Sequence, residues 1–246
     1  MPRSFKHRSD ETELIDGPGV QKEMLYRNLH ELDILNRRFG GHAATMEGIR
    51  KLVTEKNRTY HIVDLGCGSG DTLKHIADWA KARKYKVRLT GVDKNGDTIN
   101  YLNMKCKEYA EITGTVSDYH DFILRTPTID VVVCSLFCHH LSDNELMGLF
   151  ANMKRCAREG FVINDLHRNW VAYYGVKYLT LLLNGSPLSR IDGPISVLRA
   201  FKSKDLHSLL QNAHIARYMI RRKWPFRYLV IGWTSLPRAS STPGVL

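Results

Sequence analysis

No apolar run in the 246 residues approaches the ~20 that a bilayer-spanning helix needs, so no transmembrane segment is expected. The opening stretch, MPRSFKHRSDETELID, lacks an apolar core, and a cleaved secretion signal is not expected either. Cysteine is scarce: Cys67, Cys106, Cys134, Cys138 and Cys156 are odd in number and form no C-x-x-C pair. They read as reduced thiols of a cytoplasmic protein, not as a disulfide framework. Acid is in deficit, with 25 Asp+Glu against 36 Lys+Arg and a formal charge of +11. That excess suits a nucleic-acid binder, an enzyme with an anionic substrate, or a soluble basic surface. With 43% apolar and 25% charged residues the composition is that of an ordinary globular protein. Its length allows one large domain or two small ones.

Along the chain, residues 1–18 are polar and are expected to form a loose arm before an apolar helical pattern from Val20 to Phe39. A second short helix is expected over 43–53, closing an N-terminal arm and helical cap at 1–56. From residue 57 strands and helices alternate. Strands are expected at 60–65, 87–92, 112–116, 129–136 and 161–164, with helices over 71–83, 96–109 and 142–157. Runs such as Val131-Val132-Val133 are apolar on both faces, as a parallel sheet covered on both sides requires. The alternation predicts an α/β fold with a doubly wound, right-handed crossover sheet. An apolar helix over 169–183 interrupts it, followed by a loop holding Gly185, Pro187, Gly193 and Pro194. A helix from Ser203 to about Asn212 and a hairpin of strands 216–221 and 228–233 complete the domain to residue 234, and the tail 235–246 is expected to be disordered.

The informative segment is Asp64-Leu65-Gly66-Cys67-Gly68-Ser69-Gly70-Asp71, at the carboxyl end of the first strand. In open α/β sheets ligands bind there. A dinucleotide fingerprint would carry its third glycine at position 71, where Asp71 stands instead. A carboxylate at that helix start competes with a pyrophosphate for the same amides and repels it. There is no G-K-[ST] for a nucleoside triphosphate. A cationic or zwitterionic ligand without phosphate fits better. Asp93, ending the second strand, can accept hydrogen bonds from both ribose hydroxyls. Asp118 with Tyr119, after the third strand, places a carboxylate and an aromatic face where a nucleobase could lie.

Together the D-L-G-C-G-S-G-D segment, Asp93 and Asp118 resemble the class I S-adenosylmethionine-dependent methyltransferases. The segment IDVVVCSLFCHHLSD at 129–143 resembles their ubiquinone/menaquinone-type branch, and LNRRFGG and DGPISVLRAF resemble small-molecule methyltransferases of polyketide and quinone pathways. The resemblance implies a Rossmann-like seven-stranded sheet with an antiparallel last strand, an insert at 166–201 covering the substrate, and S-adenosyl-L-methionine as cofactor. It assigns Asp64 and Gly66 to the methionine moiety, with Cys67, Gly68 and Gly70 completing the loop. Asp93, with Lys94 beside it, goes to the ribose, and Asp118 with Tyr119 to the adenine. Leu136 stands where the family opens its substrate pocket.

An S-adenosylmethionine-dependent enzyme of this type mainly aligns donor and acceptor and keeps water out. O-methylation of a phenolic, quinone-like or polyketide acceptor is expected, helped by a base that is most often histidine. His139, His140 and His167 are the candidates, although the adjacent pair also reads as a loop-shaping element. Trp170, Tyr173, Tyr174 and Tyr178 are expected either to stack on a flat acceptor or simply to pack. Arg168 and Arg199 could hold an anionic acceptor but read more plainly as structural ion-pair partners. Asn36 and Arg37 lie where the N-terminal helix could close over the cofactor, Arg37 more plainly as a solvated residue. Cys134, Cys138, His139 and His140 have no completing cluster, and no metal site is expected. The alternative is an RNA methyltransferase using the late cluster Arg217, Arg221, Arg222, Lys223 and Arg227; against it, the fourth strand ends in SLFCHH, not an N-P-P-Y-type motif.

Overall fold

A computed structural model describes residues 4–17, 19–126 and 128–234. The tail for which disorder is expected lies outside them. Two helices lead in, α1 (Lys22–Arg38) and α2 (Gly41–Leu52). The alternating part follows as β1 (Thr59–Leu65), α3 (Asp71–Arg83), β2 (Lys86–Asp93), α4 (Gly96–Lys105), β3 (Ile112–Val116), α5 (Tyr119–Arg125), β4 (Ile129–Ser135), α6 (Asp143–Cys156) and β5 (Ala157–Leu166). Then come α7 (Trp170–Leu182), α8 (Pro187–Arg199), α9 (Ser203–Asn212), β6 (Arg217–Lys223) and β7 (Arg227–Trp233).

Among the described residues one seven-stranded sheet runs in the order β3-β2-β1-β4-β5-β7-β6. β1 to β5 pair in parallel, and β7 lies antiparallel to both β5 and β6. The strand order reverses between β1 and β4, which opens a crevice at their carboxyl ends. Both sheet faces are covered. One core gathers Val63, Val132, Phe150 and Phe161 under α6 and α9; the other gathers Ile49, Ile62, Leu73 and Val131 under α2 and α3. Burial of β4 on both faces explains its unbroken apolar run. No helix of the described residues is long and apolar enough to cross a membrane.

Two expectations change. The glycine- and proline-rich stretch after α7 is a helix, α8, not a loop. Pro187 stands at its first position, where a missing N–H costs nothing, and Ser186 caps it by accepting from Ser189 N at 3.2 Å. Pro194 lies inside the helix, and Gly193 lets α8 approach α7: a Cβ there would meet Val176 Cγ1 at 2.8 Å. Residues 4–17, read as a loose arm, are held down. Arg8 donates to Arg199 O at 2.8 Å, Leu141 O at 2.7 Å and Asp143 Oδ1 at 2.6 Å. The Asp192 carboxylate accepts from Leu14 N at 2.7 Å and Ile15 N at 3.0 Å. Such ties are tertiary, and local polarity does not foretell them.

Candidate active site

The turn after β1 folds back on β2, with Gly66 N and Cys67 N both donating to Val92 O at 2.8 and 3.1 Å. Gly66 has φ +66°, and a Cβ on it would meet the Phe137 ring at 2.3 Å. Only glycine combines that conformation with that approach. Gly70, with φ +74°, lets the turn enter α3 against Leu102.

Three carboxylates converge on this turn. Asp64 is 2% exposed, and its Oδ1 is buried with no hydrogen-bond partner. Burial, reinforced by the charges of Asp71 and Asp93, pushes its carboxyl well above the usual range. Burial also raises Asp93, although its Oδ1 accepts from Asn95 N at 2.9 Å. Asp71 is pushed up by burial, but His42, 3.1 Å away, and the Ser69 hydroxyl at 2.6 Å outweigh this and leave it low. A partnerless buried carboxylate oxygen calls for a cation.

These groups line a cavity of about 480 Å³ with Gly66, Cys67, Gly68, Lys94, Asp118, Tyr119 and Leu136. Nine of the ten residues expected at the cofactor thus line this cavity; Gly70 does not. Asp118 also caps α5, its Oδ1 accepting from His120 N at 2.7 Å. Tyr119 packs edge-on against Phe137, and burial holds its hydroxyl at about 12.

A second cavity, of about 390 Å³, adjoins the first through Ile15, Leu32, Leu136 and His140. Its walls are mostly apolar: Leu35, Phe39, Val176, Leu179, Leu188 and Phe226 among them. One end is polar, where Glu13, His139 and His140 meet. Leu136, with φ +54°, holds the junction, its N–H donating to Asn164 O at 2.9 Å.

His140 lines both cavities and His139 the second, while His167 lines neither and packs edge-on to Tyr228. Nor do the four aromatics of α7 line either of these two cavities. Trp170, Tyr174 and Tyr178 are 62%, 42% and 62% exposed, Tyr173 packs on Phe5, and the inner face is Ala172, Gly175, Val176, Leu179 and Thr180. Of the two alternatives, stacking on an acceptor or packing, Tyr173 takes the second, and the cavity side of α7 is mostly aliphatic. Asn36 lines the first cavity and accepts from Arg227 at 2.8 Å, whereas Arg37 grips Asp33. Arg168 and Arg199 both have internal partners, and Arg199 also lines the first cavity. Arg168 is buried against Asp205 at 2.8 Å, and Arg199 donates to the carbonyls of His139 and His140 at 3.0 and 2.6 Å.

Sequence reasoning missed Glu13, Asp16 and Asp165. Asp165 Oδ1 lies 2.7 Å from His139 Nδ1, and Asp16 Oδ2 lies 2.7 Å from His140 Nδ1. The acidic run Asp10 to Asp16 in an otherwise basic chain was the available signal.

Residues 62–160 match the family described as Methyltransferase domain. No curated protein matches the chain in sequence. Among solved structures, the plantazolicin methyltransferase BpumL in complex with SAH is 16% identical over 87% of this chain and 95% of its own, with a TM-score of 0.61. A SAM-dependent methyltransferase from Aquifex aeolicus is 16% identical over 85% and 98%, at 0.60. The CMeT domain of the citrinin polyketide synthase is 14% identical over 78% of this chain, at 0.57; the present chain spans 51% of that structure's length. At such identities these likenesses bear on the fold.

Proposed function

We propose that the chain is a class I S-adenosylmethionine-dependent methyltransferase, in line with the methyltransferase-domain match over 62–160, and that it methylates an oxygen of a small, apolar acceptor of phenolic, quinone-like or polyketide type. The observation that carries this reading is the junction of two cavities of opposite character at His140 and Leu136. The acidic one suits S-adenosylmethionine, a zwitterion with a sulfonium and no phosphate. Its partnerless Asp64 oxygen suits the amino group, Asp93 the ribose, and Asp118 with Tyr119 the adenine. The apolar one suits the acceptor.

The cofactor supplies a methyl group on a positively charged sulfur. The protein's part is alignment and exclusion of water. Ile15, Leu32 and Leu136 line both cavities and would stand between a bound cofactor and its acceptor. The acceptor's proton is taken on the polar wall, where His140 faces both cavities. The insert 166–201 provides the cover, with α7 and α8 lining the acceptor side. The late basic cluster is partly spent elsewhere: Arg221 and Lys223 pair with Glu47, and Arg217 stacks on Trp233. The five cysteines are free and buried, in keeping with a reducing cytoplasm.

Incubating the full chain with methyl-labelled cofactor and a panel of phenols and enols tests the reading. Label on an oxygen of a small acceptor is expected. Label carried only by RNA would contradict it.

A further inference from the structure

The two adjacent histidines gain a third partner that the sequence does not bring near them. His139 Nδ1 and His140 Nδ1 each lie 2.7 Å from a carboxylate oxygen, of Asp165 and Asp16 respectively. With each Nδ1 donating to its carboxylate, the neutral form of each ring carries its lone pair on Nε2. Both Nε2 atoms face the carboxylate of Glu13, at 3.7 Å from Oε1 for His139 and 3.8 Å from Oε2 for His140. These separations exceed a hydrogen bond. They approach the roughly 3.5 Å between two ligands bound tetrahedrally at about 2.1 Å from one ion.

Glu13 and His139 are both 3% exposed, and Glu13 Oε1 has no hydrogen-bond partner. Lone pairs facing one another in a buried place need positive charge between them. Glu13 Oε2 takes the Ser196 hydroxyl at 2.8 Å, which orients it. Arg199 Nε is 3.7 Å from Oε1, but its nitrogens donate to the carbonyls of His139, His140 and Glu11, so it braces the back of the cluster.

We propose that Glu13, His139 and His140 form a two-histidine, one-carboxylate site for a divalent transition ion of the zinc class. Ligating histidines characteristically donate their other ring nitrogen to a carboxylate, as both do here. Three protein ligands leave a coordination position free, and the cluster opens on the acceptor cavity. A hydroxyl of the acceptor is the ligand that position would take. With an ion bound, the two histidines act on the acceptor through it. That last role rests on the proposed function, whereas the ion site needs neither cofactor nor transfer. Among the described residues the other cluster of this kind is Asp33, His42 and Asp71, where Arg37 already pairs with Asp33 and Ser69 donates to Asp71. A proton on His140 is the competing source of charge in the Glu13 cluster.

The test is a cobalt(II) titration of the full chain after chelator treatment, read by visible absorption and reversed with zinc. One equivalent is expected to bind. Glu13→Gln and His140→Asn should abolish the spectrum, and Asp165→Asn should weaken affinity by about 10–100-fold. His42→Asn should leave it unchanged. Far-UV circular dichroism checks that each variant is folded. Absence of a cobalt spectrum, its persistence in both Glu13→Gln and His140→Asn, or its loss in His42→Asn would overturn the site. Transfer to a phenol without any cobalt binding removes the site and keeps the function; cobalt binding without transfer does the reverse.

Discussion

The carbonyl of Gly41, in the first turn of α2, accepts a 2.8 Å hydrogen bond from Nδ2 of Asn164 in β5. The same amide reaches Thr45 Oγ1 at 3.0 Å, and Asn164 is fully buried. This bond fixes the helical cap on the sheet beside the cavity junction, since Asn164 O also holds Leu136 N. Asn164→Ala removes both bonds from the core and leaves Thr45 Oγ1 only its long 3.4 Å bond to Gly41 O. A loss of about 1–3 kcal/mol is expected, read from the denaturant midpoint; an unchanged midpoint would show that water replaces the amide.

Gly66→Ala places a methyl group against the Phe137 ring in a left-handed turn. The conformation alone costs an alanine about 1–2 kcal/mol, and Phe137 must also shift into the cofactor cavity. Both the melting temperature and cofactor affinity should fall. A variant with undiminished affinity would mean that the cofactor lies clear of this turn.

The buried Asp64 carboxyl sits well above its ordinary 3.8, held there by burial and then by Asp71 and Asp93. An acid raised in the folded state favours folding while protonated, and that contribution fades as pH rises through the raised value. A cationic ligand favours the ionised form, so the binding shift has the opposite sign. Cofactor affinity should climb as pH rises from about 4 toward and through the raised value. Calorimetry in buffers of differing ionisation heat should show proton release on binding below it. Affinity that is flat or falls over that range would separate Asp64 from the cofactor's amino group.

Arg8 joins the N-terminal segment to α8 and to the loop before α6, and its guanidinium lies 4.6 Å from the Phe201 ring. Arg8→Ala should speed amide exchange over 9–16 while β1 to β5 stay protected. Since that segment carries Glu13, Ile15 and Asp16 to the cavities, transfer should weaken more than cofactor binding does. Equal protection of 9–16 in both proteins would show that the other ties suffice.

What was legible in the sequence is what backbone chemistry dictates locally. The Val131–Val133 run announced a strand buried on both faces, and the glycines with Asp64, Asp93 and Asp118 announced a row of strand ends. The acidic run Asp10 to Asp16 marked Glu13 as unusual, but nothing local marked its burial, which follows from Ser196, the Asp192 carboxylate and Arg8 arriving from elsewhere. α8 was hidden because Pro187 and Gly193 signal a turn unless a cap and a neighbouring helix use them. The aromatics of α7 misled for a related reason: stickiness does not say which face turns inward, and Gly175 and Val176 took that place.

The most direct test of the account is a calorimetric titration of the full chain and of Asp93→Ala with S-adenosylhomocysteine. One molecule should bind the unaltered chain. The variant, losing two charge-assisted hydrogen bonds, should bind weaker by about 2–4 kcal/mol, roughly 30-fold or more. Equal affinity in both proteins, or binding of a nicotinamide dinucleotide instead, would contradict the assignment of the acidic cavity.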